Sequence, residues 1–218
     1  MKKIILFGFG EYGEVAHFYF KKHSEKQIVA ITAHAANITS DHVFGTPTVA
    51  FEDLSKEFPS SDYGMFIAIG YSGLNGVRKK IFCEAKEKGY RLVSFVSPDA
   101  TCHASFIGEN TFIFEDNTIQ PFTHIGNNVV MWSGNHIGHH SRIGDHTFIT
   151  SHVVVSGGVV VGERCFIGVN ASIRDHVSIG ERTIIGAGTR IMRNTEEGSV
   201  YSEPSSKKFS DDSASVRL

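Results

Sequence analysis

The sequence has no excess of basic residues and no long apolar run, and each absence excludes a class of protein. Lysine and arginine together number 21 against 23 aspartates and glutamates, which gives a formal net charge of -2. Nucleic-acid binding requires a basic face that neutralises phosphates, so we expect no nucleic-acid partner. The N-terminal segment MKKIILFGFGEYGE is interrupted by glycines and by Glu11, too early for a signal peptide or a membrane span. We therefore expect a cytoplasmic protein without membrane insertion.

Cysteine is also scarce. The three cysteines, Cys83, Cys102 and Cys165, are odd in number and form no CxxC pair. This pattern argues against a disulfide framework and against a zinc knot. We expect reduced thiols.

The second half of the chain carries a six-residue repeat. From Ile107 to Ile191, fifteen consecutive positions spaced by six are large aliphatic residues. The period does not match an α-helix, but it suits a short strand followed by a turn, the hexapeptide signature of a parallel β-helix. A passive scaffold is the alternative interpretation, although a scaffold has no need of the histidines that accompany the repeat.

Three hexads make one triangular coil, so residues 18 apart should stack at about 4.8 Å, the spacing of neighbouring strands. Glycine recurs at this interval, which predicts a corner that has no room for a Cβ atom. These glycines are Gly108, Gly126, Gly144, Gly162 and Gly180.

The first half alternates predicted strands and helices. Strands KIILF, QIVAIT, MFIAI and RLVSFV are separated by helices near residues 13–22, 51–57 and 74–89. Such alternation predicts a small parallel sheet of the Rossmann-like α/β type. We therefore expect an α/β domain over residues 1–97, a left-handed parallel β-helix over 98–196, and a C-terminal tail over 197–218.

A glycine loop, GFGEYG, follows the first predicted strand and opens the first helix. Gly8, Gly10 and Gly13 at this place favour a phosphate held by free backbone N–H groups. The second strand ends in Ala33 and His34 instead of the acidic residue that a dinucleotide fold uses for the ribose, so a diphosphate of another nucleotide is the better interpretation. A glycine turn chosen only for tight packing remains the alternative. Residues at the end of a later strand, including Gly70, Tyr71, Ser72 and Asn75, should reach the same sheet edge.

The histidines of the repeat suggest the chemistry. In the 18-residue register His139 stacks with Gly157 and His140 with Gly158, which predicts an open slot beside this pair. Imidazole has an ordinary pKa close to neutral pH and can remove a proton from an amine or hydroxyl that attacks a thioester. The register places His124, His146 and His152 beside polar residues, as for surface positions. Cys165 occupies a small, inward position of its hexad, which indicates a core residue and not a nucleophile.

A trimeric zinc enzyme of the β-helix carbonic anhydrase type is a competing interpretation. No two of the repeat histidines considered are separated by the five residues that this family uses for its ligands. The neighbours His139 and His140 are expected to point to different sides of a strand. We therefore expect no metal.

The motifs together resemble the bacterial sugar O- and N-acetyltransferases of the NeuD and PglD type. The resemblance covers nearly the whole chain, through IILFGFGEYGEVA, IAIGYSGLNGVRKKI, VSPDATCHASFIG, IGHHSRIG and SGGVVVGERCFIGVNASI. It implies a cytoplasmic homotrimer that binds acetyl-CoA between adjacent β-helices and a nucleotide-linked sugar at the α/β domain, with a coil histidine as the base. That histidine falls on His139, with His140 beside it.

The resemblance also assigns binding residues. For acetyl-CoA, with the two glycines beside the slot included, the residues are Gly157, Gly158, Val169, Asn170, Ala187 and Gly188. For the nucleotide-linked sugar they are Gly8, Gly10, Glu11, Tyr12, Gly13, Gly70, Tyr71, Ser72 and Trp132.

The chain departs from the family pattern at several positions. In the family an acidic residue often follows the catalytic histidine, but here His140 stands in its place. The family's substrate-contacting histidine of the glycine loop is replaced by Tyr12. Trp132 replaces a small polar residue, and the terminal motif survives only as SEPSSK, which ends at Lys207.

The resemblance implies acetyl-CoA-dependent N-acetylation of a UDP-, TDP- or GDP-linked 4-amino-deoxy sugar in bacterial surface glycan biosynthesis, by direct transfer with a histidine base. O-acetylation of a sugar, as in the sialic acid enzymes, uses the same base and is the first alternative. A nucleotide-sugar-binding trimer without activity is the second.

Overall fold

The computed structural model describes residues 2–204, and the predicted tail lies outside the described residues from residue 205 onward. We call the N-terminal part, up to Leu92, the head domain. Its elements, in chain order, are β1 (Lys3–Phe7), α1 (Glu11–His23), β2 (Gln27–Ala33), a 3-10 turn (Ala35–Asn37), β3 (His42–Val43), β4 (Thr46–Ala50), α2 (Leu54–Glu57), β5 (Gly64–Ile67), α3 (Gly76–Glu87) and β6 (Arg91–Leu92).

The head domain is built on one six-stranded sheet with the order β3-β4-β2-β1-β5-β6. All neighbouring strands are parallel except the β3–β4 hairpin. The central strand β1 is apolar, and Ile4, Ile5 and Leu6 are completely buried. Because β1 lies between β2 and β5, the loops that follow β1 and β5 meet at the carboxyl edge of the sheet, where open α/β sheets bind ligands.

The predicted strand RLVSFV is divided between the two parts of the molecule. Arg91–Leu92 pairs with β5, whereas Phe95–Val96 pairs with Phe112–Ile113 of the repeat region. The Ser94 hydroxyl between them donates to the carbonyl of Gly108 at 2.6 Å and accepts from the N–H of Thr111 at 3.0 Å. These side-chain hydrogen bonds take the place of sheet pairing, so stacking of the coils begins at Phe95.

The repeat region is a parallel β-helix with three faces, each a stack of two-residue strands. Face 1 consists of Phe95–Val96, Phe112–Ile113, Val130–Met131, Phe148–Ile149, Phe166–Ile167, Ile184–Ile185 and Val200–Tyr201. Face 2 consists of Thr101–Cys102, Thr118–Ile119, His136–Ile137, Val154–Val155, Ser172–Ile173 and Arg190–Ile191. Face 3 consists of Phe106–Ile107, His124–Ile125, Arg142–Ile143, Val160–Val161 and Ser178–Ile179.

The hexad positions fill the axis of this helix, as the repeat predicts. Every aliphatic hexad residue from Ile113 to Ile191 is buried, and only Ile107 at the open end is partly exposed. From Phe106 to Ile191, neighbouring strands on each face are offset by 18 residues; the end pairs Phe95–Phe112, Thr101–Thr118 and Ile184–Val200 are offset by 17, 17 and 16. The glycine column is also explained: a Cβ atom on Gly144 would lie 2.6 Å from the carbonyl carbon of Gly162 in the next coil.

Three corners join the faces, and each repeats a residue with positive φ. Corner 1, between faces 1 and 2, has Asp116, Gly134, His152, Asn170 and Gly188. Corner 2, between faces 2 and 3, has Phe122, His140, Gly158 and His176. Corner 3, between faces 3 and 1, has Asn110, Asn128, His146, Arg164 and Arg182.

The head domain packs on face 1. The outward residues Phe112, Val130 and Phe148 share one buried cluster with Leu6 and Phe66 of the head sheet. Burial of these apolar side chains ties the two parts together through the hydrophobic effect. The carboxyl edge of the head sheet is thereby held against the β-helix.

Corner 3 continues this attachment through side-chain hydrogen bonds. Asn110 accepts from the N–H of Ile67 at 2.7 Å and donates to Asn128 at 2.8 Å. Asn128 in turn contacts Nδ1 of His146 at 2.9 Å. The interpretation of His146 as a surface position is wrong, because corner 3 lies under the head domain and leaves this side chain only 6% exposed.

Candidate active site

A cavity of about 660 Å³ opens where the carboxyl edge of the head sheet meets face 1. Its lining is mainly apolar and comes from the loop after β1, the start of α1, the loop after β5 and the β-helix. The lining residues are Gly8, Phe9, Gly10, Glu11, Tyr12, Val15, Ala68, Ile69, Gly70, Tyr71, Ser72, Trp132 and Phe148. The size suits a small-molecule ligand.

The structure brings together eight of the nine residues predicted to bind the nucleotide-linked sugar. The exception is Gly13, which lies beneath the loop: a Cβ atom there would be 2.8 Å from the carbonyl carbon of Gly8. Sequence reasoning missed Phe9, Val15 and the outward Phe148. Phe148 follows Val130 and Phe112 at the 18-residue interval, so an apolar outward column was readable as a contact face.

The loop after β1 is shaped to hold an anion. Gly8 has φ +102°, a conformation that favours glycine, and its N–H donates to the carbonyl of Thr32 at 2.9 Å. Helix α1 begins at Glu11 without a side-chain cap. The N–H groups of its first turn therefore remain available for a phosphate.

Tyr12 has a hydroxyl that finds no partner. Its oxygen is buried and forms no hydrogen bond with any residue in the described range 2–204. Burial raises the pKa of this phenol well above its usual value, so it stays protonated at neutral pH. An unpaired buried hydroxyl is costly, and the neighbouring charge that partly offsets the pKa shift is that of Arg78.

Aromatic rings form one wall of the cavity. Trp132 stacks on Phe114 with ring centroids 4.5 Å apart, and Tyr71 meets Phe148 edge-on at 5.1 Å. Tyr71 is nevertheless 56% exposed, so one part of its ring is free to contact a ligand. Such a wall can stack against a base or the apolar side of a sugar ring.

A carboxylate does lie near the end of β2, although it comes from another part of the chain. Glu52, which follows β4, contacts Nδ1 of His34 at 2.8 Å and accepts from the N–H of Ala35 at 3.0 Å. Sequence reasoning looked for an acidic residue within β2 itself and missed this one.

His139 and His140 lie at corner 2 and are both exposed. Their Nδ1 atoms are 3.0 Å apart, within hydrogen-bond distance. The expectation that they point to different sides of a strand is wrong, because they occupy a turn in which His140 has φ +59°. The backbone N–H of His139 also donates to the side chain of Gln120 at 2.8 Å.

Gly157 lies directly against His139. A Cβ atom on Gly157 would be 2.7 Å from Cε1 and Nε2 of the imidazole, so this ring edge occupies the space that a side chain would fill. The N–H of Gly157 has no acceptor among the described residues. The slot is only partly open, because the ring of His176 fills the place of a Gly158 side chain. Sequence reasoning did not include His176, although it follows Gly158 by 18 residues.

The other residues predicted to bind acetyl-CoA lie elsewhere. Val169, Asn170, Ala187 and Gly188 are at corner 1, and all four are exposed. Corners 1 and 2 are the two edges of face 2. Within one chain, the structure therefore does not bring these residues together with His139.

Cys165 is buried in the axis, as its hexad position predicts. Its burial raises the pKa of the thiol to about 11, and Sγ contacts the carbonyl of Gly180 at 3.2 Å. A thiol with so high a pKa is a poor nucleophile at neutral pH.

Residues 2–204 contain neither a metal-binding cluster nor a helix that could span a membrane. No three histidine, cysteine, aspartate or glutamate side chains are grouped so that they could hold a metal ion. No helix in this range has the length and apolarity needed to cross a bilayer.

The repeat matches a known family. Residues 122–157 and 158–193 both match the model of the bacterial transferase hexapeptide, six repeats. A search of curated protein sequences found no significant match.

Solved structures match over nearly the whole chain. One is a perosamine N-acetyltransferase from Caulobacter crescentus in complex with CoA and GDP-perosamine, with 26% identity, a TM-score of 0.80 and coverage of 91% of this chain and 92% of that one. Another is the acetyltransferase domain of PglB from Neisseria gonorrhoeae, with 22% identity, a TM-score of 0.79 and coverage of 92% and 96%. WeeI from Acinetobacter baumannii matches with 20% identity, a TM-score of 0.59 and coverage of 91% and 95%. The hexapeptide model and the Caulobacter crescentus structure confirm the family resemblance and the acyltransferase class drawn from the sequence, and the other two structures share the fold.

Proposed function

We propose that this chain, a transferase of the hexapeptide-repeat family, moves the acetyl group of acetyl-CoA to the amino group of a nucleotide-linked deoxyamino sugar. The observation that carries the proposal is the cavity at the carboxyl edge of the head sheet, which joins the glycine loop before α1 to an aromatic wall. The Caulobacter crescentus structure, which holds CoA and GDP-perosamine, supports the same class of substrate. Such a reaction belongs to the cytoplasmic synthesis of bacterial surface glycans.

The cavity provides for each part of such an acceptor. The N–H groups at the start of α1 would hold the diphosphate, and the ring of Tyr71 would stack with the base or sugar. Glu11 lies at the exposed rim, where its carboxylate can accept a hydrogen bond from a sugar amine or hydroxyl.

His139 would act as the general base. With a proton on its Nδ1, donated to Nδ1 of His140, Nε2 keeps a lone pair on the ring edge beside Gly157. Nε2 takes a proton from the acceptor nitrogen as that nitrogen forms a bond to the thioester carbonyl carbon. The unpaired N–H of Gly157 can donate to the developing oxyanion. The C–S bond then breaks, and the CoA thiolate leaves and takes up the proton from His139.

A complete site would need two copies of the chain. The acetyl-CoA residues of corner 1 and the base of corner 2 lie on opposite edges of face 2. Corner 1 of a neighbouring chain must therefore lie beside corner 2 of the first chain. A homotrimer with three such junctions meets this need. We also propose that the β-helix is left-handed, that the head domain is Rossmann-like and that acetyl-CoA is the acyl donor.

The test is an acceptor panel. Purified protein is mixed with acetyl-CoA and with UDP-, TDP- and GDP-linked 4-amino sugars, and release of the CoA thiol is measured. We expect thiol release with at least one amino sugar, and mass spectrometry should show an acetyl group on the amine of that sugar. Sialic acid, which has hydroxyls but no free amine, is tested in the same assay; release with it alone would establish O-acetylation instead, and release with none would contradict the proposal.

The role of the base is tested by His139→Asn. We expect kcat to fall by a factor of about 10²–10⁴, because the acceptor loses its proton-accepting group. His42→Asn is the matched control, since His42 is exposed on β3, outside the cavity and the corners. Equal rates for both variants would show that His139 is not the base.

A further inference from the structure

A buried cation lies beneath the floor of the cavity. Arg78 on α3 is completely buried, and its guanidinium pairs with no carboxylate among residues 2–204. Burying a charge costs free energy unless a partner compensates it. This destabilising burial of a charge occurs next to the proposed binding site.

Main-chain carbonyl groups hold Arg78 in place. It donates to the carbonyls of Ile69 and Gly70, at 3.4 and 3.0 Å, in the loop after β5. It also donates to Asn128 at 3.3 Å, and to His146 and Thr147 at 2.8 and 3.4 Å, at corner 3. These dipoles satisfy the N–H groups, but they carry no net charge. Burial lowers the pKa of Arg78 to about 10, so the side chain is still a cation at neutral pH.

The charge is separated from the cavity by one layer of protein. Ile69 and Gly70, whose carbonyls it contacts, line the cavity. The ring of Phe148, which also lines it, has its centroid 5.5 Å from the guanidinium carbon. Neither lysine nor arginine is among the residues that line the cavity. The only full positive charge beside the cavity, among residues 2–204, is therefore that of Arg78. It acts on a ligand through the intervening protein, whose low dielectric constant makes Coulomb forces strong.

We propose that Arg78 is a positioning and specificity residue whose buried charge makes the cavity select ligands that carry a diphosphate. The inference rests on the proposed function, because it concerns the same cavity. The diphosphate supplies the anion that Arg78 lacks among its contacts in residues 2–204. Arg78 never needs to touch it, and the carbonyl contacts keep the Ile69–Gly70 loop in position for the acceptor.

The test compares a nucleoside diphosphate with its uncharged nucleoside. Dissociation constants are measured by calorimetry for the pairs GDP and guanosine, UDP and uridine, and TDP and thymidine. The wild-type protein should prefer the diphosphate in at least one pair. We expect Arg78→Met to lose about tenfold of that preference, and Arg78→Lys, which retains the charge, to keep most of it. An unchanged preference in Arg78→Met, with only a lower Tm, would show a purely structural clamp and overturn the inference.

A salt series on the wild-type protein tests the same point if the methionine variant does not fold. A buried charge is screened weakly, so the preference should stay within about threefold between low and high salt. A loss of tenfold or more, or no preference in any pair, would overturn the inference.

Acetyl transfer is measured separately, so the two proposals can fail independently. Diphosphate selection that depends on Arg78 without thiol release would contradict the proposed function alone. If thiol is released but the preference for the diphosphate is unchanged in Arg78→Met, only this inference is contradicted.

Discussion

The contact between Gly157 and His139 makes a glycine part of the proposed catalytic geometry. The φ angle of Gly157 lies outside the left-handed region, so alanine fits its backbone, but the new methyl group would meet the imidazole at 2.7 Å. We expect Gly157→Ala to displace the ring and to lower kcat by about tenfold or more, because a base acts only at hydrogen-bond distance. The Tm should change little, since the ring is exposed and can move.

A double mutant isolates this effect. If Gly157→Ala acts only through His139, it should have little further effect on the rate of His139→Asn, because effects on one contact are not additive. Multiplied losses in the double variant would show that Gly157 acts through some other contact, such as its N–H.

His146 links pH to stability. Burial is the main cause that lowers the pKa of this imidazole from 6.5 to about 4. Above pH 6.5 the folded and unfolded states are both neutral at this residue, and it has no effect. Between pH 6.5 and 4 the unfolded chain binds a proton that the folded chain does not, so the free energy of unfolding falls, by about 3 kcal/mol in all.

Denaturant unfolding at pH 7 and at pH 4.5 measures the change. His146→Asn is the matched variant, because asparagine already occupies corner 3 with positive φ at Asn110 and Asn128. We expect the variant to lose less stability than the wild type over this pH interval. Identical pH profiles would exclude His146 as the responsible group.

At the scale of elements, corner 3 joins the head sheet to the coils. The Asn110 side chain both accepts from and donates to the backbone of Ile67 at the end of β5. Asn110→Gly keeps the positive φ and removes these bonds, so we expect a loss of about 1–3 kcal/mol in the free energy of unfolding. Asn110→Ala adds the strain of a left-handed residue and should lose about 1 kcal/mol more.

Urea unfolding followed separately in the two parts checks this. With the link weakened, we expect the head domain to unfold at lower urea than the β-helix. Equal stability of the glycine and alanine variants would contradict the strain argument, and wild-type stability of both would contradict the link.

The elements also show where sequence reasoning succeeds. Hexads and glycine columns are readable because the axis requires a large apolar residue at every sixth position and the close coils exclude Cβ atoms at every eighteenth. Side-chain hydrogen bonds have no such period, so the division of a strand at Ser94 was not predictable. The burial of His146 and Arg78 depends on which face of the β-helix packs against the head domain. The repeat of inward residues is the same on all three faces, so it does not identify that face.

At the scale of the whole molecule, the proposed site can be divided between chains. His139→Asn removes the base at corner 2, and Ala187→Trp is designed to block acetyl-CoA at corner 1. Each variant alone should be inactive. If each site takes one corner from each of two neighbours, random co-assembly in equal amounts restores both intact corners in about one quarter of the sites.

Co-expression with two affinity tags, followed by the thiol-release assay, measures the recovery. We expect about one third of wild-type activity in the doubly tagged trimers, because each mixed trimer has one intact junction out of three. No recovery would show that a single chain contains both halves of the site.

The 18-residue turn also limits how the chain can change in length. Inserting one whole turn between the coils that carry the head domain and those beyond would move the later part along the axis by about 4.8 Å without rotating it. An insertion of six residues would instead bring every later side chain round to the neighbouring side of the prism. Active relatives should therefore differ inside the helix by multiples of eighteen, with other additions looping outward, so that the distance from the cavity to the acetyl-CoA residues of corner 1 changes in steps of about 4.8 Å.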